Sequence, residues 1–220
     1  MKKLLLLFTL VFSINIIGAQ NTHLTFKGIP IDGNVNDFAA GLSKKGFTQI
    51  RDLEDNSILL EGRFADFDAV IGLKATPKSK TIWKVVVFID KKYTSWGSIK
   101  TDFEKYKELY IKKYGKPSDD FHFFVPPYYE GDGHEMQALA LDKCTYAAFF
   151  ELPEGPISLQ MKDGFIVFGY EDGINAKIMV SENSRCLTIY NNQFDLEIFP
   201  HHSLSHILKN RRPLPGPAAV

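Results

Sequence analysis

The chain has 220 residues, of which 45% are hydrophobic and 24% are charged, proportions that allow a globular protein with a buried core. Lys and Arg together number 26, as do Asp and Glu, so the formal net charge is zero. Five basic residues lie near the ends: Lys2, Lys3, Lys209, Arg211 and Arg212. The rest of the chain is therefore acidic and has no basic stripe, which excludes nucleic-acid binding.

The first 19 residues have the order of a secretory signal peptide. Two lysines follow Met1, an apolar run extends from Leu4 to Ile17, and the small pair Gly18-Ala19 precedes a polar region. The run is shorter than the roughly 20 apolar residues that a membrane-spanning helix needs. We therefore predict a signal peptide over residues 1–19, a mature chain that begins at or near Gln20 without a membrane span, and a periplasmic or secreted location.

Apolar residues at helical spacing predict a first helix after the signal peptide. Its apolar face consists of Val35, Phe38, Ala39 and Leu42. Asp32 or Asn34 can cap its N-terminus, and residues 44–46 end it. Four strand-length segments then follow, separated by short turns that favour antiparallel neighbours. These segments are residues 47–53, 57–65, 69–75 and 81–89.

The same order of elements then begins again. Ile99, Phe103, Tyr106 and Tyr110 form the apolar stripe of a longer helix, which stops at residue 115. Four more strands are predicted at residues 121–125, 145–152, 156–162 and 165–170. Residues 126–142 are too many for a tight turn and predict a loop or a short extra helix.

This repetition predicts an α+β fold of two tandem units, each a helix packed on an antiparallel four-stranded meander. The first unit would span residues 20–92 and the second residues 93–198. The proline-rich segment 199–220 shows no apolar face, so we predict a disordered tail there.

Several segments carry a resemblance to a known family: the runs at residues 26–33, 60–65 and 113–117, the helix end at Gly46-Phe47 and the Ala19-Gln20 junction. Together they resemble small exported proteins of unknown function that are common in Bacteroidetes. The layout of a helix followed by a meander also resembles the tandem-repeat β-lactamase-inhibitor proteins. That second resemblance implies a concave sheet that is presented to a partner protein. Neither resemblance supplies a catalytic residue, and a shared fold does not by itself imply a shared function.

The loop at residues 130–135 contains three carboxylates and His134, which are ligand types that divalent metals choose. Its spacing matches neither a calcium loop nor a zinc helix. The tail histidines His201, His202 and His206 show no ligand pattern either. We therefore predict no metal and no cofactor.

Cys144 and Cys186 are the two cysteines of the chain, and they could form a disulfide bond or remain unpaired thiols. Cys144 with His134 is the one nucleophile and base pairing to consider, and we interpret it as coincidental. A pair of catalytic carboxylates leaves no local spacing in a sequence. An envelope hydrolase with such a site is therefore the alternative function.

Aromatic residues on sheet faces opposite the helices could form a recognition surface. The predicted binding residues are Trp83, Tyr128, Tyr129 and Tyr170. The strand at residues 81–89 is apolar on both faces, so either both faces are covered or one binds a partner. We predict a non-enzymatic binding or inhibitory module that recognises an envelope or extracellular macromolecule, such as another protein, through a sheet face.

Overall fold

The computed structural model describes residues 22–53 and 56–183 of the chain. The predicted signal peptide, Cys186 and the predicted tail at residues 199–220 lie outside these ranges. Their predicted roles therefore stay predictions.

The described residues form ten strands and four helices. The strands are β1 (Thr25–Phe26), β2 (Ile29–Pro30), β3 (Thr48–Asp52), β4 (Ile58–Phe64), β5 (Phe67–Ala75), β6 (Ile82–Ile89), β7 (Asp119–Phe124), β8 (Cys144–Phe150), β9 (Ile157–Lys162) and β10 (Phe165–Glu171). The helices are α1 (Val35–Ser43), α2 (Trp96–Tyr114), α3 (Glu135–Ala140) and α4 (Gly173–Glu182). The short helix α3 resolves the two alternatives for residues 126–142 in favour of a loop with an extra helix.

Eight of these strands make one antiparallel sheet in the order β3-β4-β5-β6-β10-β9-β8-β7. Tight turns set the local pairing, as between β4 and β5, where Ala65 and Asp66 both have positive φ angles of 48° and 69°. Such two-residue turns match the twist of antiparallel strands. β1 and β2 form a separate two-stranded hairpin.

The prediction of two tandem helix-plus-sheet units is wrong, because the described chain is mostly β and the sheet is continuous. β6 pairs with β10 over five residues, from Lys84 opposite Glu171 to Phe88 opposite Val167. Short turns identify hairpins between neighbours in sequence, whereas this pairing joins residues 79 to 87 positions apart and leaves no local signal. The sequence reasoning also missed β1, β2 and α4.

The inner face of the sheet packs against α1 and α2. The buried residues of α1 are the predicted Val35, Phe38, Ala39 and Leu42, and the Asn34 side chain accepts a hydrogen bond from the amide of Asn36 at 2.9 Å. Ile99, Phe103 and Tyr106 of α2 are buried as predicted. Both helices contribute to a single core cluster that includes residues from both halves of the sheet.

The outer face carries a second, smaller apolar cluster on the central strands. It consists of Leu59, Val70, Val86, Phe88, Phe165 and Val167, with Leu53 packed against it. Val85 and Val87 on the inner face and Val86 on the outer face all have no exposed surface. Of the two alternatives for strand 81–89, burial of both faces is the one that the structure supports.

Asp172, at the N-terminus of α4, links the end of the sheet to the start of the described chain through hydrogen bonds. The carboxylate of Asp172 caps α4 by accepting from the amides of Ile174 and Asn175, and it also accepts from the amide of Leu24 at 2.8 Å. Within residues 22–53 and 56–183, no helix combines the length and the apolar character that crossing a membrane requires.

Candidate binding surface

β7 forms one edge of the eight-stranded sheet and is open to solvent. It pairs with β8 over six residues, from Asp119 opposite Phe149 to Phe124 opposite Cys144, without a register shift. Five of its six residues are exposed and the sixth is half-buried. An edge strand of this kind presents a row of unpaired backbone groups to a neighbour.

The hydrogen bonding next to β7 shows which backbone groups face the open side. The amide of Val125 donates to the carbonyl of Lys143 at 2.8 Å. Because such bonds alternate along an antiparallel pair, Phe121 and Phe123 direct their backbone groups toward β8. The N–H and C=O groups of Asp120, His122 and Phe124 therefore point away from the sheet.

The outer face of this edge carries exposed phenylalanines. Phe121 and Phe123 are 40% and 48% exposed, and their ring centroids lie 6.4 Å apart at an interplanar angle of 87°. Phe121 also contacts the half-buried Phe149 of β8, with ring centroids 6.0 Å apart. We call Phe121, Phe123 and Phe149 the aromatic patch. Clustered exposed aromatic residues are typical of protein interaction sites.

The inner side of the same edge is polar. The ammonium of Lys107 on α2 lies 2.8 Å from Glu104, 3.2 Å from Asp120 and 3.1 Å from Nε2 of His122. Nε2 of His122 is also 3.0 Å from Asp120. Lys107 is almost buried, whereas the two carboxylates are more than a third exposed. The imidazole of His122 also lies 3.7 Å from Glu104, and with that imidazole neutral the two carboxylates share one ammonium, which leaves an acidic excess beside β7.

A second network holds the loop after β7 against α2 and β8. The carboxylate of Glu130 accepts from Lys100, from the indole N–H of Trp96 at 3.2 Å and from the hydroxyl of Tyr146 at 3.0 Å. The hydrogen bond from Lys100, followed by those from Trp96 and Tyr146, lowers the pKa of Glu130. Burial, and then the bond to Glu130, raises the pKa of Tyr146 well above its usual value. Glu130 is therefore a charged acceptor and Tyr146 a neutral donor.

The other carboxylates of the predicted metal-ligand loop hold its backbone in place. Asp132 accepts from the amides of Tyr129 at 3.0 Å and His134 at 2.7 Å. Glu135 accepts from the amide of Gly131 at 2.8 Å. In the part of the chain that the structure describes, no group of three or more His, Cys, Asp or Glu side chains is placed to hold a metal ion. His201, His202 and His206 lie outside it.

The four predicted binding residues do not form one surface. Tyr170 is 5% exposed and hydrogen-bonds Tyr110 in the core, so as placed it is unavailable to a partner. Trp83 is the extra residue of a bulge, since Ala75 pairs with Ile82 and Lys74 with Lys84.

Tyr128 and Tyr129 follow β7, four strand positions from β6, which is a separation of roughly 19 Å at about 4.8 Å per strand. Tyr128 is partly buried against the core, whereas Tyr129 is 64% exposed. Of the four predicted residues, Tyr129 is therefore the one that the structure places exposed and close to the β7 edge.

Cys144 is buried on β8 and belongs to the main core cluster. Burial, with smaller effects from Glu130 and Glu135, raises the pKa of its thiol to about 12. A neutral, buried thiol is a poor nucleophile, because reactivity belongs to the thiolate. Cys186, the other half of the predicted alternative of a disulfide bond or free thiols, lies outside the described residues.

The sequence reasoning did not select Phe121 and Phe123. It predicted a strand over residues 121–125, but the run Phe-His-Phe-Phe-Val does not alternate clearly between apolar and polar residues. Edge position is a property of the whole sheet, so it could not be obtained from this segment. The paired acids Asp119 and Asp120 at the start of the strand are a weak signal, since charges are common on edge strands.

Comparisons with known proteins give no relative for this chain. No family model matches it, and neither does any curated protein or any solved structure. The resemblances to exported Bacteroidetes proteins and to β-lactamase-inhibitor proteins therefore stay predictions.

Proposed function

We propose that this chain is an exported, non-enzymatic binding module that recognises another protein of the envelope or the cell exterior. The binding surface is the β7 end of the sheet, with the aromatic patch at its centre. The observation that carries the proposal is the exposure of Phe121 and Phe123 on an open edge strand. The signal-peptide pattern of residues 1–19 supports a periplasmic or secreted location.

Three features of the surface support binding of a protein. Aromatic residues are enriched among those that dominate the energetics of protein interfaces. The patch lies next to unpaired backbone groups, which a second polypeptide can satisfy. The Glu130 network and the loop contacts of Asp132 hold the neighbouring segment in one conformation, which lowers the entropic cost of binding.

Site-specific photo-cross-linking tests this proposal in the cells that make the protein. A photoreactive amino acid replaces Phe121 in one variant and Ile50 in another, and mass spectrometry identifies the captured proteins. Ile50 is also 40% exposed, but it lies on β3 at the opposite edge of the sheet, which makes it a matched control. We expect a defined partner to be captured from position 121 and not from position 50.

The identified partner is then purified and its affinity measured. The double variant Phe121→Ser, Phe123→Ser should weaken binding by about tenfold or more, because truncation of central aromatic residues commonly costs upward of about 1.4 kcal/mol. Ile50→Ser should leave the affinity unchanged. Equal capture from both positions, or unchanged affinity in the double variant, would contradict the proposal.

A further inference from the structure

We propose that the partner binds by strand addition, in which an extended segment with alternating apolar and basic side chains pairs with the open side of β7. This inference rests on the proposed function and specifies the chemistry of the partner. It follows from three properties of the edge, which are its backbone, its outer face and its inner face.

The backbone of β7 selects an extended polypeptide. The N–H and C=O groups of Asp120, His122 and Phe124 point away from the sheet, at the spacing of alternate residues in a strand. A small ligand or a helix cannot satisfy such a row, whereas an added strand pairs with every group in it. The regular register of β7 with β8 keeps the row straight enough for several consecutive bonds.

The outer face selects apolar side chains at alternate positions of the added strand. Residues opposite Phe121 and Phe123 would lie on the same face as the aromatic patch, because side chains in a sheet alternate between faces. Contact with phenylalanine rings that are 40% and 48% exposed favours aromatic or aliphatic partners. Pairs of this kind across two strands stabilise a sheet.

The inner face selects a basic side chain. The position opposite Asp120 lies beside the carboxylates of Asp120 and Glu104, which share the single ammonium of Lys107. A Lys or Arg there would balance the acidic excess, whereas an acidic side chain would meet like charge. The occupant is therefore an extended segment that is apolar on its outer side and carries Lys or Arg on its inner side.

Two synthetic peptides probe this proposal, and both are acetylated and amidated at the ends. The first has the sequence Lys-Phe-Lys-Val-Lys-Phe-Lys, and in the second every Lys is replaced by Glu. Affinity for the mature protein is measured by fluorescence anisotropy. We expect the lysine peptide to bind at least about tenfold more tightly than the glutamate peptide, since opposite charges contribute and like charges oppose. Equal affinities would contradict the role of the acidic inner side.

Two variants at one position separate backbone pairing from side-chain contact. His122→Pro removes an N–H that points to the open side, so the bonds between β7 and β8 are kept, and proline is tolerated at such edge positions. His122→Ala removes the same imidazole and keeps the N–H. Binding of the lysine peptide should fall about tenfold or more in the proline variant and stay within about threefold in the alanine variant. Equal affinities of the two variants would overturn strand addition.

A modified peptide makes the test independent of how the proline variant folds. N-methylation of every second peptide residue removes the N–H donors on one side of the added strand. Moving the methyl groups by one residue removes the N–H donors on the other side instead. One methylated peptide should lose affinity for the unmodified protein and the other should keep it. Equal binding by both methylated peptides would contradict strand addition.

Other outcomes separate this inference from the proposed function and identify a different occupant. If cross-linking at position 121 captures a partner but neither peptide binds, strand addition is wrong and the proposed function stands. Failure of the cross-linking test contradicts the proposed function itself. A dimer in analytical ultracentrifugation that His122→Pro dissociates would assign the edge to a second copy of the chain, which would also overturn the proposed partner.

Discussion

The two edges of the eight-stranded sheet are built differently, although both edge strands are exposed along most of their length. β3 has a register shift between Gln49 and Arg51, so Ile50 is an extra residue and the strand is bent. Its remaining residues are polar or charged, and the side-chain Nε2 of Gln49 donates to the carboxylate of Asp52 at 2.7 Å. Bulges and charges are two of the means by which proteins prevent edge strands from pairing with other chains.

β7 is less protected than β3, because it lacks a bulge and carries more apolar residues. It runs in regular register with β8 and carries three phenylalanines, of which Phe121 and Phe123 are exposed. A regular, apolar edge strand tends to pair with other chains and to aggregate unless a partner covers it. The contrast with β3 shows that this sheet can protect an edge, and it therefore favours a binding role for the other one.

Removing the support beneath β7 should have the largest effect. Phe103 of α2 is fully buried, and its ring centroid lies 6.2 Å from that of His122 on β7 and 5.9 Å from that of Tyr146 on β8. Phe103→Ala should lower the free energy of unfolding by about 3–5 kcal/mol, because it removes apolar contacts and leaves a cavity. Denaturant titration measures this loss.

The matched control is Lys105→Ala on the same helix, whose side chain is exposed. Its effect should stay within about 0.5 kcal/mol. If the two variants proved equally mild, α2 would not support the β7 end in the way that the structure indicates.

A smaller loss is expected at the β3 end. A Cβ atom at Gly62 of β4 would lie 2.4 Å from Cδ1 of Phe47, which is too close for the ring to keep its position. Gly62→Ala should therefore destabilise the protein by about 1–3 kcal/mol through overpacking. Thermal and denaturant unfolding both report this change.

Gly97→Ala is the control for Gly62→Ala, because it adds the same methyl group where we expect no loss of stability. A Cβ atom at Gly97, in the first turn of α2, would have no heavy atom within 4 Å apart from its two chain neighbours and the nearby backbone of its own helix. The substitution should be neutral or stabilise by up to about 1 kcal/mol, since alanine favours helices. A loss of stability at Gly97 equal to that at Gly62 would rule out the steric explanation.

The sequence allowed prediction of local elements but not of their assembly. The apolar stripe of α1 and its Asn34 cap follow from residue spacing, and so does most of the stripe of α2. Strand positions also follow from composition and turns to within about two residues. The pairing of β6 with β10 depends on contacts between distant segments, which no local pattern specifies.

The candidate site was harder to predict for the same reason. Tyr170 and Phe123 are both aromatic residues in predicted strands, yet one is buried beside Tyr110 and the other is exposed on an edge. The order of the strands and the face of the sheet on which each residue lies separate the two cases. Residue type can therefore suggest that a recognition surface exists, but its position depends on which strand ends the sheet.

The smallest predicted effect concerns the Glu130 network and its dependence on pH. Hydrogen bonds from Lys100, Trp96 and Tyr146 lower the pKa of Glu130 below its usual value of 4.5. A carboxyl group whose pKa is lower in the folded state contributes stability above its unfolded pKa, and that contribution is lost as the pH falls through the folded pKa.

Glu130→Gln keeps an acceptor but removes the charge. At pH 7 it should cost less than about 1 kcal/mol, because the side chain is partly exposed and such ion pairs contribute little. The difference in unfolding free energy between wild type and variant should shrink as the pH is lowered below 4.5, whereas Glu108→Gln on the exposed side of α2 should show a smaller difference at pH 7. Urea titrations from pH 7 to the acid range measure both variants, and a difference that grows on acidification would contradict a charged Glu130 as the acceptor that holds the loop beside β7.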